Sequence, residues 1–213
     1  MEDSISKEKV FREVRNALIN RVQNPFSSTD LNKPVFHELK DDMEVVFAEK
    51  ITASDATFIY CGSQEEFIET VYLVSTQNNW KNVVCHENRV REILDATRIE
   101  SSKETELYPG EFMYITSCEA LVARSGSIIL SSAQPVSRKA LALAHTHVVF
   151  ALASQMHEDL KTAINVLEKK YEGNLPSFIT SVSGKSLLNT PALKNIPAPT
   201  GVNNLVVFFI ETE

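Results

Sequence analysis

The first amphipathic pattern of the chain lies near its amino terminus. Six apolar residues fall on one helical stripe: Val10, Phe11, Val14, Ala17, Leu18 and Val22. This spacing predicts a helix over residues 6–22. Residues 23–34 contain Pro, Ser and Asn, so we expect an arm and linker over 1–34 and an α/β domain over 35–213. The arm would pack on its own domain or on a second copy of the chain, and the second arrangement predicts a homo-oligomer.

From residue 41 onward, short apolar runs alternate with segments of helical periodicity. The runs ATFIYC, NVVCHE, HVVFAL, SFITSV and LVVFFI predict strands at 56–61, 82–87, 147–152, 177–182 and 205–210. Helices are predicted at 44–51, after Ser63, at 88–96 and at 154–171. Ser63 and Glu66 have the spacing of a capping box. Successive strand–helix units favour a parallel sheet.

The middle of the chain has a different pattern. Residues 112–132 form two strand-like halves separated by Arg124-Ser125-Gly126, which indicates a hairpin or tight bend. The expected fold class is therefore α/β, with a mostly parallel open sheet flanked by helices and an antiparallel hairpin insertion.

Composition and charge exclude several kinds of partner. The net charge is −7 and Lys and Arg are not clustered, so binding to nucleic acid or to an anionic membrane is not expected. The most apolar stretch, 140–153, is too short to span a bilayer. The first ten residues mix acids and bases without an apolar core, which does not resemble a signal peptide. We therefore expect a cytoplasmic protein.

Cysteines and histidines do not form a recognisable metal motif. Cys61, Cys85 and Cys118 lie far apart without a CxxC pair, so they are expected to be buried thiols. No iron–sulfur ligand motif or other cofactor is identified. His145 and His147 would share one side of a strand, but a third ligand with suitable spacing is missing, and HENRV and HEDLK lack the second histidine of HExxH. We expect structural histidines and no metal.

The stretch SVSGKS has the Gly-Lys-Ser triplet of a phosphate-binding loop. A P-loop needs another glycine five residues before Gly184, but that position is Ile179, so a nucleotide hydrolase is not supported. Ligands of parallel sheets bind where strand ends lead into helices. Ser183, Gly184, Lys185 and Ser186 are therefore anion-binding candidates. The alternative is a plain strand-to-helix turn with a serine cap.

The central bend provides a second candidate site. Arg124 beside Ser125, Gly126 and Ser127 could hold a phosphate or carboxylate through two parallel hydrogen bonds. Alternatively, Arg124 is a solvated hairpin residue and Gly126 supplies a positive φ. Arg138 is a third cation, for which we favour a position on a surface helix.

Several segments together resemble one family. CEALVARSGSIILSS, VSRKAL, HTHVVFAL and FITSVSGKS are followed by a Gly-Val pair at 201–202 and by LVVFFIE. This order resembles the LUD-domain family, which includes the third component of the bacterial lactate-utilisation operon. The resemblance implies a fold like those of ribose-5-phosphate isomerases and CoA-transferases. It also implies a part in oxidising L-lactate to pyruvate beside iron–sulfur partner subunits, and an anionic ligand contacted by the two loops and Gly201.

The chain departs from the family pattern at three places. Arg124 stands where the family has glutamate, and Leu187-Leu188-Asn189-Thr190 replaces an acidic pair. The family's terminal Gly-Val-His-Gly-Pro is reduced to Gly201-Val202-Asn203-Asn204. These changes leave open a non-catalytic subunit with a vestigial pocket. An independent enzyme acting on a phosphorylated sugar or acyl-CoA also stays open. Its catalytic candidates are Glu119 and Lys185. Glu119 is included because CoA-transferase relatives use a strand-end glutamate as nucleophile.

Overall fold

The computed structural model describes residues 2–19, 36–103, 112–184 and 204–211. The helices are α1 (Glu2–Ile19), α2 (Met43–Ala53), α3 (Gln64–Gln77), α4 (Asn88–Ala96), α5 (Arg138–Leu143) and α6 (Leu160–Lys170). The strands are β1 (Thr57–Cys61), β2 (Val83–Val84), β3 (Ser101–Ser102), β4 (Met113–Ser117), β5 (Ala120–Val122), β6 (Ser127–Ser131), β7 (Thr146–Leu152), β8 (Met156–His157), β9 (Ile179–Val182) and β10 (Asn204–Ile210).

The chain divides into two compact units, residues 1–38 and 39–213. The first contains α1, which covers most of the predicted helix but begins and ends earlier. The side chains of Val10, Phe11 and Val14 are at least half exposed. None of the described helices is both long enough and apolar enough to cross a membrane.

Six parallel strands form the main sheet of the second unit, in the order β1-β10-β7-β4-β2-β3. Strand β7 lies inside this sheet, and residues 147–151 are buried. This explains its continuous apolar sequence. Helices α3 and α4 contribute to the core on one face, where Phe67 and Leu94 pack with Ile115 and Phe208. The predicted α/β class with a mostly parallel sheet is confirmed.

A second sheet has the order β8-β5-β6-β9 and contains the predicted antiparallel hairpin of β5 and β6. The bend is a single turn of 3-10 helix at Ala123–Ser125, followed by Gly126 with φ of 60°. One face of this sheet packs with α2 against the main sheet, where Leu121 and Ile128 join Val149 and Val207. The other face is covered by α6.

Two predicted elements differ from the structure. The helix predicted at 154–171 begins only at Leu160, because a 3-10 turn and strand β8 come first and the Asp159 carboxylate caps α6. The strand at 177–182 belongs to the second sheet, since β9 pairs antiparallel with β6. The loop after β9 therefore does not follow a strand of the main parallel sheet.

Neighbouring strands β2 and β4 lead to opposite faces of the main sheet. The chain leaving β2 forms α4, which packs on the face of Val83. The chain leaving β4 continues to α5, which packs on the face of Val84 and Tyr114. Adjacent strands with such diverging connections leave a crevice at their carboxyl ends, where parallel sheets commonly bind ligands.

Candidate functional site

A buried glutamate joins the carboxyl ends of β2 and β4. Glu87 lies three residues after β2, and only 9% of the residue is exposed. Its Oε1 accepts a hydrogen bond from the Ser117 backbone N–H at 2.8 Å, and its Oε2 accepts one from the Ser117 hydroxyl at 2.5 Å. Such charge-assisted bonds are short and strong, so they fix both side chains at the carboxyl ends of β2 and β4.

Hydrogen bonds continue from Ser117 to a second buried carboxylate. Gln134 donates its Nε2–H to the Ser117 Oγ at 2.9 Å and accepts the Ser131 backbone N–H at 3.2 Å. The Ser131 hydroxyl then donates to Glu119 Oε1 at 2.7 Å. We call these five residues (Glu87, Ser117, Gln134, Ser131 and Glu119) the Ser117 network. Every bond in it has a consistent donor and acceptor.

Glu119, at the end of this network, is a buried carboxylate. Its side chain is 1% exposed, and it also accepts hydrogen bonds from Lys170 Nζ and the Tyr171 hydroxyl, both at 2.6 Å. Burial raises the pKa of the carboxyl, but hydrogen bonds from Lys170, Tyr171 and Ser131 and the charge of Lys170 outweigh this and lower it. Glu119 is therefore ionised and well placed to hold the end of α6, whereas attack on a substrate would require these contacts to open.

His86 lies beside Glu87, and its Nδ1 is 3.2 Å from the Tyr114 hydroxyl. That hydroxyl accepts the Ser137 backbone N–H at 2.8 Å, so its own proton is available for the histidine. Burial, assisted by the charge of Lys103, lowers the pKa of His86, and burial raises the pKa of Tyr114 to about 12. Both groups are neutral near pH 7. They add polar atoms suited to hydrogen bonding at the same end of β2.

The two histidines of HTH differ in their surroundings. His147 is fully buried and its Nε2 is 2.9 Å from Thr116 Oγ1, while its Nδ1 has no hydrogen-bond partner among the described residues. Burial lowers its pKa to about 3. His145 is exposed and contacts the Thr146 hydroxyl. Among the described residues, no three His, Cys, Asp or Glu side chains are grouped to hold a metal ion.

At the central bend, the predicted anion ligands already have partners within the chain. The Arg124 guanidinium pairs with Glu158, and the Arg124 backbone N–H donates to the Glu158 carbonyl at 3.1 Å. The hydroxyls of Ser125 and Ser127 lie 2.6 Å apart. A Cβ at Gly126 would come within 2.7 Å of the Ile51 backbone nitrogen in α2. The role of this bend in anion binding stays a prediction.

Gly184 packs against the same helix. A Cβ at this position would overlap the Ser54 carbonyl oxygen just after α2. The carboxyl end of a helix carries partial negative charge, which does not favour an anion. Lys185, Ser186 and Gly201 lie outside the described residues, as do positions 187–190 and 202–203. Their binding role, and a catalytic role for Lys185, therefore stay predictions.

Arg138 is exposed at the first turn of α5. Its guanidinium carbon lies 5.1 Å from the centre of the Phe178 ring, a distance typical of a cation–π contact. The surface position favoured from the sequence agrees with this environment.

Sequence reasoning did not select Glu87, Ser117, Gln134, Lys170 or Tyr171. A signal was present for two of them, because Glu87 ends the run NVVCHE and Ser117 is the last residue of β4. Polar residues at the ends of neighbouring parallel strands meet at one edge of the sheet. Gln134, Lys170 and Tyr171 gave no comparable signal.

Comparison with known proteins agrees with this architecture. Residues 112–191 match the model of the LUD domain. The crystal structure of a DUF162 family protein from Deinococcus radiodurans is similar, with a TM-score of 0.58 and 16% sequence identity, covering 79% of this chain and 96% of that one. At this identity the structure supports the fold alone. No curated protein matches the chain. The match over residues 112–191 supports membership of the LUD-domain family for this part of the chain.

Proposed function

We propose that the chain takes part in oxidising L-lactate, or a related organic acid, to pyruvate together with iron–sulfur partner subunits. The observation that carries this proposal is the LUD-domain match over residues 112–191, because lactate utilisation is the general association of that family. The matched segment contains β4, Ser117 and Glu119, so it includes part of the Ser117 network.

The cysteines support assigning electron transfer to partner subunits. Cys61, Cys85 and Cys118 are the three cysteines of the chain, and all are buried. Burial raises the pKa of each thiol, that of Cys85 to about 11. Iron–sulfur clusters are held by thiolates, which these environments disfavour.

Deleting the gene tests the proposed pathway role. We expect the deletion strain to lose growth on L-lactate, to keep growth on pyruvate, and to recover when the full chain is restored. A tagged full chain purified from lactate-grown cells should carry iron and acid-labile sulfide through its partners. Normal growth of the deletion strain on L-lactate and on related 2-hydroxy acids would reject the proposal.

The proposed ligand is an anionic small molecule at Arg124 and residues 183–186, and Glu158 competes with it. An anion must displace the Glu158 carboxylate to pair with Arg124. Thermal-shift titrations with lactate, CoA, sugar phosphates and folates test this, since a ligand at 100 times its Kd stabilises a protein by about 2.7 kcal/mol. We expect tighter binding by Glu158→Gln and loss of binding by Arg124→Ala, with Arg89→Ala, at an exposed arginine of α4, as the matched arginine control.

If no anion stabilises the wild-type chain or Glu158→Gln, the proposed anion site is not functional. That result would favour a non-catalytic subunit, whose role would then depend on its partners alone. An independent enzyme that uses Glu119 as nucleophile is less well supported, because the side chain is almost completely buried and ion-paired. Turnover of an acyl-CoA or sugar phosphate by the isolated chain would overturn that ranking.

A further inference from the structure

A cleft of about 650 Å³ opens at the amino edge of the main sheet, opposite the edge that carries the Ser117 network. Five neighbouring strands begin there. Each contributes a residue at or just before its first position: Thr57, Asn204, Thr146, Met113 and Asn82. Sites for small molecules occupy roughly 300–1,000 Å³, so the cleft has a suitable size.

The floor of the cleft is apolar. It contains five side chains that are only partly buried at the margin of the core beneath α3 and α4: Ile59, Val74, Trp80, Met113 and Val206. Partly exposed apolar groups remain in contact with water at a cost in free energy. A ligand with an apolar face would remove this surface from water.

The rim of the cleft is polar and nearly balanced in charge. The carboxamides of Asn79 and Asn204 can each both donate and accept hydrogen bonds. Lys81 and Asp55 contribute opposite charges. This lining favours an uncharged ligand with hydrogen-bonding edges over a strongly anionic one.

We propose that this cleft binds a planar heteroaromatic molecule of the nucleobase class, with its ring against the apolar floor and its edges on the rim amides. The Met113 thioether is suited to contact with an aromatic ring. A sugar is a poorer fit, because its hydroxyls would be desolvated against aliphatic side chains. This site is independent of the proposed role in organic-acid oxidation.

Trp80 allows a direct test, since it is the one tryptophan in the chain and it lines the cleft. The full chain is titrated with adenosine, guanosine, cytidine and uridine while tryptophan fluorescence is recorded. Ribose and L-lactate are titrated in parallel. We expect a saturable change with at least one nucleoside and none with ribose or L-lactate.

Variants locate the binding. Asn204 is exposed at the rim, and Asn204→Ala is expected to weaken nucleoside binding about tenfold. The control is Asn174→Ala, at an exposed asparagine outside the lining, which should bind like wild type. Circular dichroism confirms that each variant is folded. No change with any nucleoside, an equal change with ribose, or wild-type affinity of Asn204→Ala would overturn the proposal. Growth on L-lactate is measured separately, so a negative nucleoside titration does not contradict the proposed function.

Discussion

Gly184 has no room for even one added methyl group. In Gly184→Ala the new Cβ would meet the Ser54 backbone, which cannot move away as a flexible side chain could. We expect the free energy of unfolding to fall by about 1–3 kcal/mol, measured by urea denaturation. Gly62→Ala is the control, because its Cβ would approach side-chain atoms alone, Glu66 Oε2 at 3.3 Å and the Tyr60 ring at 3.8 Å. Equal effects of the two substitutions would contradict a steric role for Gly184.

His147 should make the protein sensitive to acid. Its pKa is lowered from 6.5 to about 3 in the folded state, so between these values the unfolded chain binds the additional proton. The contribution of His147 to stability is therefore complete above pH 6.5 and decreases as the pH falls toward 3. From pH 7 to pH 5 it should decrease by about 2 kcal/mol.

Substitution isolates this effect. His147→Phe keeps a ring beside Tyr114 and has no proton to bind, so its unfolding free energy should change less between pH 7 and pH 5 than that of wild type. His145→Gln, at the exposed neighbouring histidine, is measured in parallel as a second histidine substitution. A wild-type slope in His147→Phe would show that other groups cause the acid sensitivity.

Among the elements, α3 has a cap that can be tested in isolation. The Ser63 hydroxyl accepts the Glu66 backbone N–H at 3.2 Å, and the Glu66 carboxylate accepts the Gly62 backbone N–H at 2.7 Å. Ser63→Ala should lower the free energy of unfolding by about 1 kcal/mol in thermal or urea denaturation. Ser63→Asp can accept the same bond and should recover most of this loss. If Ser63→Asp does not recover the lost stability, the effect of Ser63→Ala does not come from the cap of α3.

Local sequence signals predicted the elements that depend mainly on local chemistry. Strands β1, β7 and β10 and helix α4 lie close to their predicted positions, and Ser63 caps α3 as its spacing indicated. The division of residues 113–122 between two sheets was not predictable in this way. The helix predicted from 154 failed for a nonlocal reason, because Gln155 bonds to the Cys118 carbonyl and Met156 pairs with Leu121.

At the scale of the whole molecule, the core between the two sheets should make them unfold together. Leu130 is fully buried in β6 and belongs to the cluster that also contains Val149 and Phe209 of the main sheet. Leu130→Ala should lower the free energy of unfolding by about 2–5 kcal/mol. Hydrogen exchange should then speed up in both sheets by a similar factor. Faster exchange confined to β5, β6 and β9 would show instead that the second sheet opens independently.

The candidate site depends on contacts that connect distant parts of the sequence. Glu87 and Ser117 are 30 residues apart, and Glu119 and Lys170 are 51 residues apart. Their meeting depends on the order of strands in the sheet and on the docking of α6. One sequence defines strands but not this order, so Glu119 was predicted as a candidate without its partners.

The contact of Gly126 and Gly184 with the end of α2 has an evolutionary consequence. These glycines come from the two loops that carry the family resemblance, and both are adjacent to residues 50–54. A lineage that extends α2 by one turn, or that gains a side chain at either glycine, would need compensating changes in the other segments. We therefore expect positions 50–54, 126 and 184 to covary among homologues, and the length of α2 to be inherited together with both loops.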